Sequence, residues 1–134
     1  MTVDTQLIQV VSEKDIVTAR SAARTLAQSL GFGAIDQSRI ATAVSELTRN
    51  IVRYATDGKG RVTIAATDDR PGIEIVVADD GPGIADIDLV LQDGYTSGGG
   101  MGLGLPGTRR LMDEMTIEST PGVGTTIVIR KWKR

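Results

Sequence analysis

The sequence predicts an α/β domain, a two-layer sandwich in which helices cover one face of a sheet. Two patterns predict it: segments with apolar residues at helical spacing, and segments in which every second residue is apolar. These segments follow one another in the order β-α-α-β-β-loop-α-β-β. That order indicates helices packed as a layer on one sheet. At 134 residues, we expect residues 1–134 to form a single domain.

The first half of the chain predicts one strand and two helices. Residues 5–11 alternate and are rich in β-branched side chains, as is typical of a strand. Ser12 and Asp15 indicate a helix start, and Gly31 indicates its end. A second helix is expected after Asp36 as its N-cap. Its apolar stripe, which repeats every three or four residues, consists of Ile40, Val44, Leu47, Ile51 and Tyr54.

The second half predicts four strands and one helix around a loop-rich middle. Residues 61–67 and 72–79 alternate as strands and are separated by a turn. In the loop that follows, one helical turn is expected near residues 87–91. A helix is then expected from about Leu103 to Asp113, and the sequence "PGVG" predicts the turn of a closing hairpin with strands at 114–120 and 125–133.

Composition excludes several classes of function. A net charge of -2 argues against nucleic-acid binding driven by charge. The chain has no cysteine, which excludes disulfides and thiolate sites and suits a reducing cytoplasm. It has no histidine, which excludes phosphohistidine chemistry and acid–base catalysis by imidazole. No apolar run approaches about 18 residues, so no membrane span is expected.

A polar pair interrupts the second predicted helix. Glu46 and Asn50 lie four residues apart, which places both side chains on one face, one turn from each other. Each directly precedes a residue of the apolar stripe, so both lie at its border. A solvated flank with a weak side-chain pair is the alternative interpretation.

A second polar stretch follows the predicted strand at residues 72–79. Asp79, Gly81 and Gly83 form the pattern D-x-G-x-G at its end. Glycines there allow positive φ angles and a close approach of the backbone to a ligand. Asp79 is placed to accept a hydrogen bond from an exocyclic amine, although an ordinary acidic Asp-Gly turn has the same pattern.

The third stretch is the glycine-rich run "TSGGGMGLGL" at residues 96–105, in which Gly100, Gly102 and Gly104 form G-x-G-x-G before a helix. Free backbone N–H groups and the positive end of a helix dipole favour phosphate there. A flexible loop is the alternative. The pattern is neither a Rossmann fingerprint, which needs a preceding strand, nor a Walker A loop, which needs Lys-Ser/Thr.

Together with "GVGTT" at the start of a strand, these motifs occur in an order that resembles the GHKL, or Bergerat-fold, ATPases. That family includes gyrase-type, Hsp90-type, histidine-kinase and anti-sigma-kinase domains. The resemblance implies a mixed, mainly antiparallel sheet covered on one face by about three helices, with an ATP lid at residues 86–101. It also implies ATP and Mg²⁺ as cofactors. It assigns the metal to Asn50 and the adenine contact to Asp79, supported by Thr125. It assigns the turn beneath the base to Gly81 and Gly83. The phosphates are assigned to Gly100, Gly102 and Gly104.

The stretches "EKDIVTAR", "LGFGAIDQSRIATAVSELTRNI" and "GLPGTRRLMDE" are similar to the RsbT group of stressosome switch kinases, which are stand-alone serine/threonine-protein kinases. Anti-sigma kinases usually have a histidine shortly after the motif asparagine, where this chain has Tyr54 nearby. The resemblance implies that a STAS-domain partner is phosphorylated with help from Glu46, and that a PP2C-type phosphatase is then bound and activated. Two alternatives stay open: an anti-sigma factor with kinase activity, and an ATP-gated binding module with little phosphotransfer.

Overall fold

The computed structural model describes residues 5–54, 60–68, 70–84 and 104–133 of the chain. These residues form five strands and three helices in the order expected from the sequence. The elements are β1 (Thr5–Val10), α1 (Glu13–Ser29), α2 (Ala34–Tyr54), β2 (Gly60–Ala66), β3 (Gly72–Asp79), α3 (Gly104–Leu111), β4 (Glu114–Thr120) and β5 (Gly124–Trp132).

The five strands form one sheet in the order β1-β2-β3-β5-β4. Every pairing among the described residues is antiparallel, so the parallel component that a mixed sheet would have is not seen there. β3 is the central strand, and its last residue, Asp79, is the register partner of Thr125 at the start of β5. The two strand ends that contain the predicted adenine-site residues therefore lie side by side.

The alternation of the strands determines which face of the sheet is buried. One face of the central strands presents Ile64, Ile75 and Ile129, each at most 1% exposed, to the helices. α1 and α2 pack against each other and against β1 and β2, and α2 also contacts β3 and α3. Thr116 and Glu118, on the opposite face, are exposed. The predicted fold class, an α/β two-layer sandwich, is confirmed.

Hydrogen bonds at both ends of α1 confirm its predicted boundaries. The Asp15 carboxylate accepts the N–H groups of Val11 and Ser12 at 2.9 and 3.0 Å. These bonds, the one from Val11 first, hold the pKa of Asp15 below its ordinary value of 3.8. At the other end, Gly31 follows the cap residue with φ of 90°, a conformation that glycine adopts at little cost.

The second helix begins at Ala34 rather than after Asp36, so the predicted N-cap is wrong by three residues. The first helical hydrogen bond runs from the N–H of Gln37 to the carbonyl oxygen of Gly33 at 2.9 Å. Asp36 consequently lies in the first turn, where its negative charge meets the positive end of the helix dipole. It also pairs with Arg39 at 3.0 Å. The predicted apolar stripe is confirmed for Ile40, Val44, Leu47 and Ile51, which are all buried. The side chain of its fifth residue, Tyr54, lies outside the described part of the structure.

The third helix ends at Leu111, two residues before the predicted Asp113. Asp113 bonds to β5 instead: its N–H donates to the carbonyl oxygen of Arg130, and its carboxylate accepts the N–H of Trp132 at 2.7 Å. Edge pairing with the sheet thus competes with the last helical turn and ends it. The predicted helical turn at residues 87–91 lies outside the described residues.

A buried lysine fastens the end of α3 to the sheet. Lys131 of β5 is 4% exposed, and its Nζ donates to the carbonyl oxygen of Leu111 at 3.0 Å. Leu111 is the last residue of α3, and its carbonyl group has no partner within the helix. The same Nζ lies 3.8 Å from Oδ1 of Asp36, at the start of α2. One cation therefore joins β5, α3 and α2.

None of the described helices combines the length and the apolar character that a bilayer crossing requires.

Candidate functional site

The end of β3 places a carboxylate in a fixed orientation. Asp79 is half-buried, and its Oδ1 accepts the N–H of Gly81 at 2.8 Å. Such a bond, from the N–H two residues later, closes a turn in which an Asp side chain replaces a backbone acceptor. The D-x-G step of the motif is thus a structured turn that holds the carboxylate at the edge of the central strand.

Two glycines allow this turn to lie directly on the β4–β5 hairpin. Gly83 has φ of 78°, and a Cβ atom there would lie 2.5 Å from the carbonyl oxygen of Thr120. Gly124 has φ of 152°, and a Cβ atom there would overlap the carbonyl oxygen of Asp79. Both positions combine a positive φ with a backbone contact, so each favours glycine for two reasons.

Ser119 joins the segments around Asp79 and was missed by the sequence analysis. Its Oγ accepts the N–H of Ile84 at 2.7 Å and donates to the carbonyl oxygen of Gly124 at 3.1 Å. It also lies 2.8 Å from Oγ1 of Thr125, its register partner across the hairpin. Because the single Ser119 proton is used on Gly124, the hydroxyl of Thr125 is the donor in that contact.

A further backbone bond closes this cluster, in which the N–H of Gly122 donates to the carbonyl oxygen of Pro82 at 2.8 Å. The loop after β3 and the turn of the β4–β5 hairpin are therefore held together at several points. The only sequence signal for the contact was the glycine content of both segments. Which hydroxyl linked them depended on hairpin register, which no single motif indicates.

The second helix brings Glu46 and Asn50 to one edge, one turn apart, as their spacing predicts. The Glu46 side chain is 14% exposed, and its Oε1 lies 3.1 Å from a guanidinium nitrogen of Arg49. Asn50 is half-buried. The Arg49 contact was not anticipated, although an i, i+3 pair of opposite charges on a helix is a signal that sequence contains.

The third helix begins at Gly104, the last glycine of the predicted phosphate motif, and has Pro106 in its first turn as expected. Its first N–H groups have no partner within the helix and so are available to an anion. Because α3 packs against α2, the helix start and the Glu46–Asn50 edge belong to one layer. Gly100, Gly102 and the predicted lid at 86–101 lie outside the described residues.

The oxygen atoms that Glu46 and Asn50 offer suit a cation that takes most of its ligands from phosphate groups and water. Among the described residues, no group of three or more His, Cys, Asp or Glu side chains could hold a metal ion. Asn50 and Glu46 offer an amide oxygen and a carboxylate. This set fits Mg²⁺, which is commonly held by one or two protein oxygens together with phosphate oxygens and water, and it does not fit a metal held by an all-protein cage.

Comparison with known proteins identifies the family of the chain. Residues 35–134 match the family described as Histidine kinase-, DNA gyrase B-, and HSP90-like ATPase. The chain belongs to this ATPase family. This match confirms the predicted family and implies that the protein uses ATP.

Two relatives show which kind of protein within this ATPase family the chain resembles. The serine/threonine-protein kinase RsbT of Bacillus subtilis is 49% identical over 133 residues, which cover 98% of each chain. The anti-sigma F factor of Caldanaerobacter subterraneus is 34% identical over 97 residues, 69% of this chain and 68% of that protein. The predicted relation to the RsbT group is confirmed, and the chain is a serine/threonine-protein kinase with a partner-switching role.

Solved structures of other proteins share the fold of this chain. A structure of the RsbU and RsbW domains of a Mycobacterium tuberculosis protein superposes with a TM-score of 0.70 and 22% identity, covering 97% of this chain and 32% of that one. The mycobacterial sensor histidine kinase MprB superposes with a TM-score of 0.60 and 19% identity, covering 99% of both chains. At these identities the likeness concerns the fold alone.

Proposed function

We propose that the protein transfers the γ-phosphate of ATP to a serine or threonine of a STAS-domain partner and then, once released, binds and activates a PP2C-type phosphatase. The observation on which this rests is the Glu46–Asn50 edge of α2. It sets a largely buried carboxylate, held by Arg49, one turn from an amide oxygen. A module that only bound nucleotide would not need the carboxylate.

The adenine base is proposed to bind at the end of β3. Asp79 would accept the exocyclic amino group, since the Gly81 bond fixes the orientation of its carboxylate. Thr125 would support this contact. Its hydroxyl proton is directed to Ser119, so its oxygen is left to accept from the base or from a water molecule. Gly81 and Gly83 would form the turn beneath the ring.

The phosphates are proposed to lie against the start of α3. Gly104 opens that helix, and the N–H groups of its first turn, which have no partner within the helix, favour an anion together with the positive end of the helix dipole. Gly100 and Gly102 of the same motif would complete the cradle. Asn50 would hold Mg²⁺, which when bound neutralises charge on the phosphates during transfer.

Glu46 is proposed to receive the proton of the incoming hydroxyl. The partner supplies the nucleophile, so this chain needs none of its own. The contact with Arg49 fixes the position of the carboxylate at the border of the buried stripe of α2. After transfer, the new phosphate of the partner adds about 1.5 to 2 negative charges. Lying beside Glu46, it would be repelled, and this repulsion favours release and the switch to the phosphatase. Use of cellular ATP fits the expected cytoplasmic location.

The decisive experiment measures phosphate incorporation into the STAS-domain protein encoded beside the gene of this kinase, with Mg-ATP, followed by mass spectrometry of the acceptor. Replacing Glu46 by alanine should slow transfer by roughly 10²–10⁴-fold, with ATP affinity preserved. Asn50→Ala should impair ATP binding and transfer together. Glu118→Ala, which removes an exposed carboxylate of β4, is the matched control and should behave as wild type.

Wild-type transfer by Glu46→Ala, with ATP still bound, would contradict the proton-acceptor role. Absence of transfer by the wild-type protein, with ATP bound normally, would favour the ATP-gated binding module instead.

A second candidate function is an anti-sigma factor that also phosphorylates its antagonist. The 34% identity to an anti-sigma F factor favours it. Pull-down experiments against STAS-domain proteins and against the sigma factors of the same organism would separate the two functions. Stable capture of a sigma factor in the presence of ATP is expected only for the second.

A further inference from the structure

A shallow groove lies between the first half of α2 and the end of α3. It has a volume of about 380 Å³ and is lined by Ala34, Ile35, Ser38, Arg39, Thr42 and Leu111. Ile35 is 70% exposed although its side chain is apolar, and Leu111 is half-buried. The groove therefore offers an apolar floor and an apolar rim on the surface of the helical layer.

This groove continues along the helix face that bears the candidate catalytic carboxylate. Ile35, Thr42 and Glu46 are separated by seven and four residues, spacings that return to the same side of an α-helix. At 1.5 Å per residue, Thr42 lies about 6 Å and Ile35 about 16 Å along the axis from Glu46. A folded protein whose hydroxyl reaches Glu46 would therefore extend over the groove.

One charged side chain lines the groove. Arg39 has half of its side chain exposed, and one of its guanidinium nitrogens pairs with Asp36 at 3.0 Å. A guanidinium group has five N–H donors, so its exposed part can bind a second carboxylate. The groove therefore favours a partner that presents a carboxylate beside an apolar side chain.

We propose that this groove is the docking site of the protein substrate. The partner is a protein surface on which an apolar side chain fills the groove against Ile35 and Leu111, while a carboxylate beside it pairs with Arg39. The proposal rests on the kinase function proposed above and names the surface by which the substrate is held. Docking at this distance from the acceptor hydroxyl contributes to affinity and selectivity without altering the reacting groups.

The test uses Ile35→Glu, which places a negative charge in the apolar part of the groove, and Arg39→Glu, which reverses the charge of the rim. Ile35 is exposed, and glutamate near a helix start is well tolerated, so the fold should be kept. The matched control is Leu7→Glu on β1, since Leu7 is 63% exposed at a distant surface. The probe is the STAS-domain protein used above, with KM, kcat and ATP affinity measured for each variant.

We expect the KM for the STAS-domain protein to rise on the order of tenfold in both groove variants, with kcat and ATP affinity within about twofold of wild type. The wild-type KM should also rise with ionic strength, because the Arg39 side chain that pairs with the partner is half exposed. An unchanged KM in Ile35→Glu and Arg39→Glu overturns the docking site. A rise in Leu7→Glu alone overturns it too and assigns the partner to the sheet.

Failure of the underlying function gives a different result. If the wild-type protein transfers no phosphate to the STAS-domain protein, the kinase proposal fails for that partner. A binding titration of the same three variants against the same protein then decides the docking site separately. Loss of binding in the groove variants alone supports it, and equal binding by all of them overturns it.

Discussion

Replacing Ser119 by alanine removes one hydroxyl group that three segments share. The loop after β3 contacts it through the N–H of Ile84, and the start of β5 contacts it through Gly124 and Thr125. The substitution keeps the strand and deletes only the oxygen. We expect it to loosen the end of β3 relative to the hairpin and so to weaken the proposed adenine site, although Ser119 itself is not proposed to touch the nucleotide.

The magnitude follows from the hydrogen bonds that are lost. A neutral hydrogen bond contributes about 0.5–1.5 kcal/mol net, and the three contacts are half-buried, so water can replace part of the loss. The free energy of unfolding should therefore fall by about 1–3 kcal/mol. If about half of this loss is felt by Asp79 and Thr125, ATP affinity should fall by about 0.5–1.5 kcal/mol, which corresponds to about two- to tenfold.

Calorimetric titration with ATP and denaturation with urea give the two quantities. Thr116→Ala, at an exposed position of the same strand, is the control for loss of a strand hydroxyl and should change neither by more than about 0.5 kcal/mol. Wild-type stability together with wild-type ATP affinity in Ser119→Ala would refute this reasoning. Lower stability with unchanged affinity would show that the hydroxyl supports the hairpin and not the nucleotide site.

Three further predictions concern the same end of the sheet and the start of α1. Asp79→Asn should weaken ATP binding by about 1–3 kcal/mol, since a donor would then face the adenine amino group; calorimetry showing wild-type affinity would remove Asp79 from the site. Gly124→Ala should lower stability clearly more than Gly122→Ala. Both glycines have positive φ, but among the described residues a Cβ atom at Gly122 has no neighbour within 4 Å, whereas one at Gly124 meets Asp79. Equal melting temperatures of the two variants would contradict the close contact. The lowered pKa of Asp15 means that its carboxylate stabilises the fold above about pH 4 and that this contribution is lost as the pH falls through the lowered pKa. The difference in free energy of unfolding between wild type and Asp15→Asn should thus be larger at pH 7 than at pH 3. A difference that does not change with pH would contradict the stabilising role of the Asp15 carboxylate.

The elements could be predicted because their patterns are local. The stripe from Ile40 to Ile51 and the alternation of β3 are both repeated often enough to define a buried face. The boundaries that differed depended on competition between neighbours. Asp36 resembles an N-cap in sequence, but Gly33 accepts the first helical bond. Asp113 continues a helical pattern, but its backbone pairs with β5.

The candidate site could be predicted only as far as its motifs reach. Glu46, Asn50 and Asp79 lie in patterns whose spacing has a geometrical meaning, and α2 and β3 place them where those patterns suggest. Ser119 lies in no motif, because its importance comes from register across a hairpin, which short-range sequence does not determine. The groove between α2 and α3 was missed for a similar reason: Ile35 and Leu111 are 76 positions apart and meet only through the packing of α3 on α2.

The contact of Lys131 with the last carbonyl of α3 has a mechanical consequence. The eight-residue helix α3 is about 12 Å long. Its C-terminal end is hydrogen-bonded to the sheet through Lys131, and its other end begins at Gly104. Residues 105–108 of this helix are buried as well, so the helix is held against α2 and the sheet along its length and not at one end alone. Leu111 is therefore held in place from both sides. The proposed docking groove would then keep its shape in either nucleotide state, so that holding a partner and exchanging a nucleotide remain independent events.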